Sequence, residues 1–307
     1  MSTDKIALYR FWQPRYWPVW MGVGLLKIVF WLPQSARMAT GRWLGRVLMR
    51  VAGSRRRIAA RNIQICFPEL TPAEQALLTR RHFESLGMSV IELGIAWWSS
   101  DDYMNRAVEL RGIEHLHAAL EQGKGVLMLG GHFAALEMSG RPLKALMPPM
   151  AAMYRPSNNP LIDQLMRRCR GRSTADLITK HGIRQLLKVL KENRPVWYAA
   201  DQAYSRRGSV LAPFFGEPAA TNAAVSQIAR LSGAPVVPFF PARVNNGSSY
   251  QLEVLPALEN FPSGDDVADA ARLSEILEVL IRKVPEQYYW VHRRFKGRPE
   301  GYPDPYK

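Results

Sequence analysis

Val126-Leu127-Met128-Leu129-Gly130-Gly131-His132-Phe133-Ala134-Ala135-Leu136-Glu137 is the stretch from which the rest of the chain can be read. An apolar run of strand character ends in two glycines. A histidine comes next, and a carboxylate follows five positions later, where a helical pattern begins. Working outward, strands and helices alternate from about residue 105. The spacing predicts strands at 108–110, 125–129, 150–154, 195–200, 235–240 and 250–255. Helices are expected at 113–122, 133–146, 160–170, 183–192, 221–232 and 266–284, several of them bounded by Gly or Pro. Such alternation implies an α/β fold with a largely parallel central sheet flanked by helices. Ligands then bind beyond the carboxyl ends of the strands. His132, Arg155 and Asp201 each follow an apolar strand closely and can share one mouth.

Upstream the texture is different. Residues 1–61 hold 12 Lys or Arg and one acidic residue, Asp4, together with five of the nine Trp. Tyr16 to Pro33 is apolar except for Lys27. Trp and Arg flanking an apolar segment are typical of a membrane interface. The segment is short against the roughly 20 residues that span a bilayer. It is expected either to cross the membrane or to lie in its cytoplasmic leaflet, with a buried core helix as the plain alternative. Thr71-Pro72-Ala73-Glu74 opens a further helix running to about Trp98, with Thr at the cap, Pro at the first position and Glu at the third. The chain therefore divides into basic apolar anchoring helices (1–60), a helical subdomain (61–104) and an α/β domain (105–307), the last two expected to form one compact unit.

The formal charge of +15 points to nucleic acid, anionic lipid or an acidic protein as partner. Two cysteines, Cys66 and Cys169, are too few for a disulfide framework or a structural zinc site and suit a reducing compartment. The sequence has no P-loop, no GxGxxG and no G-x-S-x-G elbow. His115 and His117 lie two apart on a helix and do not face one another, so no metal site is expected.

Several residues carry candidate chemistry. On one regular helix His132 and Glu137 would point apart by roughly 140°. They can meet only if His132 sits in the turn that Gly130-Gly131 permits and Glu137 lies on the first helical turn. His132 is then a general base and Glu137 its orienting carboxylate, or else the pair is a core histidine and a helix-dipole glutamate. Arg155, after the strand ending at Tyr154, can clamp a phosphate or carboxylate or can be a surface residue. Asp201-Gln202 closes another strand and can bind substrate or orient a neighbour. Thr221 leads a helix whose N-terminus would welcome an anion, or is simply its cap. The segment 287–296, with Arg293, can receive a headgroup or form a terminal strand.

Taken in order along nearly the whole chain, these features resemble one family. Gly131-His132, with Glu137 after four intervening residues, is similar to the His-x4-Asp/Glu signature of the glycerolipid acyltransferases. Arg61-Asn62, Cys66-Phe67-Pro68-Glu69, Tyr154-Arg155-Pro156, Asp201-Gln202, Phe214-Phe215-Gly216 through Thr221, Pro235-Val236-Val237-Pro238 and Trp290 to Lys296 resemble its late lipid A acyltransferase branch. The commoner signature has Asp where this chain has Glu137. The resemblance implies transfer of a fatty acyl group from acyl carrier protein to a hydroxyl of an acyl chain on a Kdo-bearing lipid A precursor. It implies His132 as base, Glu137 as its orienter, and substrate contacts from Arg155, Asp201, Gln202, Thr221 and Arg293. It further implies no cofactor and no metal, and a place on the cytoplasmic face of the bacterial inner membrane among anionic lipids, with nucleic acid not expected as a partner. Transfer to a phospholipid or another glycolipid is the alternative, and a non-catalytic basic binding protein is a third reading.

Overall fold

The computed structural model describes residues 6–179, 181–204 and 208–307. In chain order the helices are α1 (Trp17–Phe30), α2 (Gln34–Val51), α3 (Gly53–Cys66), α4 (Pro72–Trp98), α5 (Asp101–Ala107), α6 (Ile113–Leu120), α7 (Leu136–Leu143), α8 (Pro160–Arg170), α9 (Ile183–Lys191), α10 (Ala224–Ser232) and α11 (Asp266–Lys283). The strands are β1 (Val108–Arg111), β2 (Val126–Gly130), β3 (Ala151–Tyr154), β4 (Asp176–Thr179), β5 (Pro195–Ala199), β6 (Ser209–Phe214), β7 (Glu217–Asn222), β8 (Val236–Val244) and β9 (Ser249–Val254).

Seven strands form one sheet in the order β1-β9-β8-β2-β5-β3-β4. Every neighbouring pair is parallel except β8 with β9. β2 lies at the centre and is buried at every position, as a continuous apolar run between two helical layers requires. The α/β class read from the sequence is therefore the fold observed. The register between β2 and β5 matters most for function. Gly130 pairs with Ala199, so the residues two further along each strand, His132 and Asp201, emerge side by side at the carboxyl edge.

The helical region packs onto this sheet. α4 starts with the expected capping box, Thr71 and Glu74 satisfying one another's backbone N–H groups. α2 crosses α4 at a glycine contact: a Cβ on Gly45 would lie 2.1 Å from the Phe83 carbonyl oxygen, and one on Gly87 would lie 2.1 Å from that of Gly41. Only glycine allows the two backbones so close. Met38 of α2 and Met88, Ile91 and Ile95 of α4 share one buried cluster with Met128, Trp197, Val237 and Phe239 of the sheet. A buried ion pair adds to this join. Arg243 of β8 donates to Glu92 of α4 at 2.6 and 2.7 Å and to the Ser85 hydroxyl at 2.9 Å. Such a pair tolerates loss of neither partner, because the survivor would be a lone buried charge.

α1 has no buried residue. Trp17, Met21, Leu25 and Ile28 are exposed along it, at spacings that place them on one stripe. Its 14 residues reach about 21 Å, and among the described residues no helix is long and apolar enough to cross a membrane.

Two local expectations need correction. The stretch from Thr221 does not begin a helix. Residues 209–222 form a β-hairpin, and α10 starts at Ala224. Phe215 and Gly216 both have positive φ, 52° and 77°, which is the two-residue turn that matches the twist of paired strands. Residues 287–296 form no strand; one isolated bridge joins Tyr288 to Phe133.

Candidate active site

His132 sits in the turn after β2, before α7 begins. Its carbonyl accepts from the Tyr289 N–H at 3.0 Å. Its own N–H donates to Asp201 Oδ2 at 2.8 Å, and its ring Nδ1 donates to Asp201 Oδ1 at 2.7 Å. One carboxylate thus holds both the backbone and the ring: the loop is pinned through its N–H, and the imidazole cannot turn without losing its Nδ1 bond. Asp201 is 2% exposed, whereas 35% of the His132 side chain is open. The buried carboxylate anchors and the histidine faces outward.

The electrostatics follow from this arrangement. Burial alone would raise the Asp201 pKa, but the His132 ring and backbone hydrogen bonds hold it below the ordinary carboxylate range. For His132, burial acts to lower the pKa. The charge and hydrogen bond of Asp201 outweigh it and raise the imidazole above its ordinary value, while the Arg170 guanidinium opposes the rise. With Nδ1 carrying the proton, Nε2 has a free lone pair. The Gln202 side-chain nitrogen lies 3.3 Å from it, so a hydrogen-bond donor already occupies the position that a reacting hydroxyl would take.

Glu137 does not meet His132. Its carboxylate is paired with the Arg170 guanidinium, whose Nε lies 3.1 Å from Oε1. The reason is local: α7 begins at Leu136, and Glu137, on its first turn, turns to the end of α8 rather than back to the loop. The carboxylate that orients the ring comes from a neighbouring strand 69 residues away. Arg155 is exposed beyond β3 and has no hydrogen-bond or ion-pair partner among the described residues. Thr221 is buried in β7, donating to the Ala219 carbonyl and accepting from Arg294, so its hydroxyl is spent within the protein. Arg293 is exposed, its guanidinium 5.8 Å from the Tyr306 ring centre. The structure brings His132, Asp201 and Gln202 together and leaves Arg155, Thr221 and Arg293 outside that contact group.

Three participants were not picked out in the sequence. Tyr288 is buried and its hydroxyl donates to the Asp201 carbonyl at 3.3 Å. His292 accepts the Ala203 N–H at 3.2 Å; burial, then the Lys296 charge, push its pKa down to about 4, so it stays neutral as that bond requires. Arg170 ends α8 and reaches the site across the fold. The aromatic-basic texture of 287–296 was the sequence signal for Tyr288 and His292, the latter also lying in the family-like run Trp290 to Lys296; Arg170 had none.

A narrow cavity of about 50 Å³ lies between α7 and the sheet, and Trp197, whose ring centre stands 6.4 Å from that of His132, is one of its walls. Leu136, Met150, Ala152, Met153, Trp197 and Phe239 give it an apolar lining, and Glu137 and Arg170 line it as an ion pair. A base near an apolar-lined recess can remove a proton from a hydroxyl whose hydrocarbon neighbours pack toward that recess.

Residues 5–297 match the sequence model of the bacterial lipid A biosynthesis acyltransferases. The chain belongs to this family. It is 40% identical to the lipid A biosynthesis lauroyltransferase of Escherichia coli (strain K12), over 96% of each chain. Identity to the lipid A biosynthesis palmitoleoyltransferase of the same organism is 37%, over 95% of each chain. The lipid A biosynthesis myristoyltransferase of that organism is 27% identical over 97% of this chain and 92% of its own. This acyltransferase therefore acts in lipid A biosynthesis, with a lipid A precursor as acceptor.

Proposed function

We propose that the enzyme moves a fatty acyl group from the thioester of acyl carrier protein to the hydroxyl of an acyl chain on a Kdo-bearing lipid A precursor. The observation that carries the reading is the His132–Asp201 pair at the carboxyl edge of the sheet, with an apolar-lined cavity one ring away behind Trp197. His132 Nε2 takes the proton of the acceptor hydroxyl once that hydroxyl displaces Gln202. Asp201 fixes the tautomer and stabilises the imidazolium that forms. The alkoxide oxygen attacks the thioester carbon, the carbon–sulfur bond breaks, and the proton on His132 passes to the departing sulfur. No nucleophile of the enzyme is required. Glu137 serves by holding Arg170, whose positive charge bears on His132. Arg155 and Arg293, both exposed, are assigned to the acceptor's phosphates.

The enzyme works at the cytoplasmic face of the bacterial inner membrane. The exposed apolar stripe of α1, flanked by exposed Trp12 and Trp31, supports insertion into one leaflet beside anionic lipid. The absence of any acidic residue between Lys5 and Pro68 supports the same placement and an acidic carrier protein as donor.

The test gives detergent-purified enzyme acyl carrier protein loaded with chains of mixed length, and offers the saccharolipid and a lysophospholipid in competition. Mass spectrometry should find one added acyl chain on the saccharolipid. Acylation of the lysophospholipid alone would replace this reading by the phospholipid one.

A further inference from the structure

We infer that Trp197 is a further catalytic residue: its indole N–H binds the carbonyl oxygen of the thioester and stabilises that oxygen as it becomes negative. The inference rests on the acyl-transfer reading above. It starts from an unsatisfied donor. Trp197 is 9% exposed, and its Nε1–H has no hydrogen-bond partner among the described residues. A buried N–H without an acceptor costs free energy, and such groups in native proteins call for an explanation.

The position of this donor supplies one. Trp197 lies on β5 opposite Met128 of β2, and Gly130 pairs with Ala199 two residues nearer the carboxyl edge. Its side chain does not stand straight up from its own pair. It leans forward over Gly130: a Cβ there would lie 2.4 Å from the indole Nε1 and 2.9 Å from Cε2. Any side chain at 130 would close the space. The glycine that ends β2 therefore lets the indole reach the carboxyl edge of the sheet, two residues before the base. There the indole meets the His132 ring edge-on, with the centroids 6.4 Å apart, and it lines the same apolar cavity.

The chemistry selects one atom of the substrate. The apolar lining of the cavity suits hydrocarbon, and the polar end of an acyl chain directed toward it is the thioester carbonyl, beside Trp197. An indole N–H donates and cannot accept, which fits an oxygen that gains charge. Glu137 is the acidic group of this cavity, but its carboxylate is occupied by Arg170. In the reaction the acceptor hydroxyl gives its proton to His132 Nε2 and its oxygen bonds to the thioester carbon. The carbonyl π pair moves onto the oxygen held by Trp197. When the pair returns, the carbon–sulfur bond breaks and His132 protonates the sulfur. The donor is in place before the charge develops, which makes this type of contact effective.

Trp197→Phe keeps an aromatic ring and removes the N–H. A second variant, with benzothienylalanine at position 197, keeps the indole's shape and replaces N–H by sulfur. Both are assayed with acyl carrier protein thioester and saccharolipid, beside the unaltered enzyme and with thermal unfolding as a folding control. Loss of one such donor typically lowers kcat by about 10²–10³-fold. We expect that loss in both variants, with KM for the donor within about twofold of the unaltered enzyme. Wild-type kcat in the benzothienyl variant, or a loss confined to KM, overturns the inference even if the Phe variant misfolds. Failure of the unaltered enzyme to transfer at all would instead overturn the acyl-transfer reading on which the inference rests.

Discussion

Asp201→Asn separates the two carboxylates that could serve His132. The substitution conserves shape and removes the charge. In the native site Oδ2 accepts the His132 backbone N–H at 2.8 Å and Oδ1 accepts the ring Nδ1–H at 2.7 Å. An amide has one oxygen. If that oxygen keeps the backbone bond, the NH₂ faces Nδ1, which must then be bare, and the ring proton moves to Nε2. The base is lost. If the oxygen keeps the ring, the NH₂ opposes the backbone N–H, donor against donor, and the loop holding His132 must shift. The same exchange of Asp for Asn in a serine-protease triad lowers kcat by about 10⁴-fold through the wrong tautomer, and a loss on the order of 10³–10⁴-fold is expected here. The pH profile should change as well. Without the Asp201 charge, burial prevails and the His132 pKa falls below its ordinary value, so the acid limb of the residual activity moves to lower pH. Glu137→Gln leaves both Asp201 bonds intact and frees Arg170. It should cost far less activity and move the acid limb only slightly, also downward, because an unpaired Arg170 opposes the His132 proton more strongly. Initial rates of acyl transfer from pH 5 to 9 for the unaltered enzyme, these two variants and His132→Ala decide the matter. Near-normal kcat in Asp201→Asn, with Glu137→Gln as inactive as His132→Ala, would refute the reasoning and return the orienting role to Glu137.

In the unaltered enzyme the base must be neutral, so kcat/KM should fall as pH drops through a His132 pKa above 6.5; an acid limb well below 6 would contradict the ion pair. Glu92→Leu strands the buried Arg243 guanidinium and should destabilise the protein by about 3–5 kcal/mol, read by chemical denaturation, whereas combining Glu92→Leu with Arg243→Met should recover much of the loss. Met21→Glu with Leu25→Glu puts two charges on the exposed stripe of α1 and should release the protein from vesicles of anionic lipid in a flotation assay, while transfer to a detergent-dispersed acceptor persists. Unchanged flotation would move the membrane contact elsewhere.

The fold was largely legible because the strands of a parallel sheet read as short apolar runs with turns behind them; β2, β3, β5, β8 and β9 all fall where those runs predict. β4, Asp-Leu-Ile-Thr at the sheet edge, is half-buried and only four residues long, too little for a periodic signal. The hairpin of β6 and β7 was missed because Pro213 and Pro218 obscured its strands and Phe215 is an unusual residue at positive φ. In the site, His132 was legible from the glycine turn that presents it, and Asp201 from its place at a strand end. Their partnership was not. It depends on β2 and β5 being neighbours in register, which no local pattern reveals, while the His-x4-Glu spacing draws attention to the nearer carboxylate. Arg170 and Trp197 were hidden for a related reason: an arginine at the end of a helix and a tryptophan in a buried strand look ordinary until the tertiary fold sets them beside His132.

The most direct test of the central claim is mass spectrometry of the lipid A precursor after incubation with acyl carrier protein thioester and either the unaltered enzyme or His132→Ala. The account predicts a mass increase of one acyl chain with the former and none with a folded His132→Ala protein. Equal product from both would contradict it, because the hydroxyl would then lose its proton without the base on which the mechanism depends.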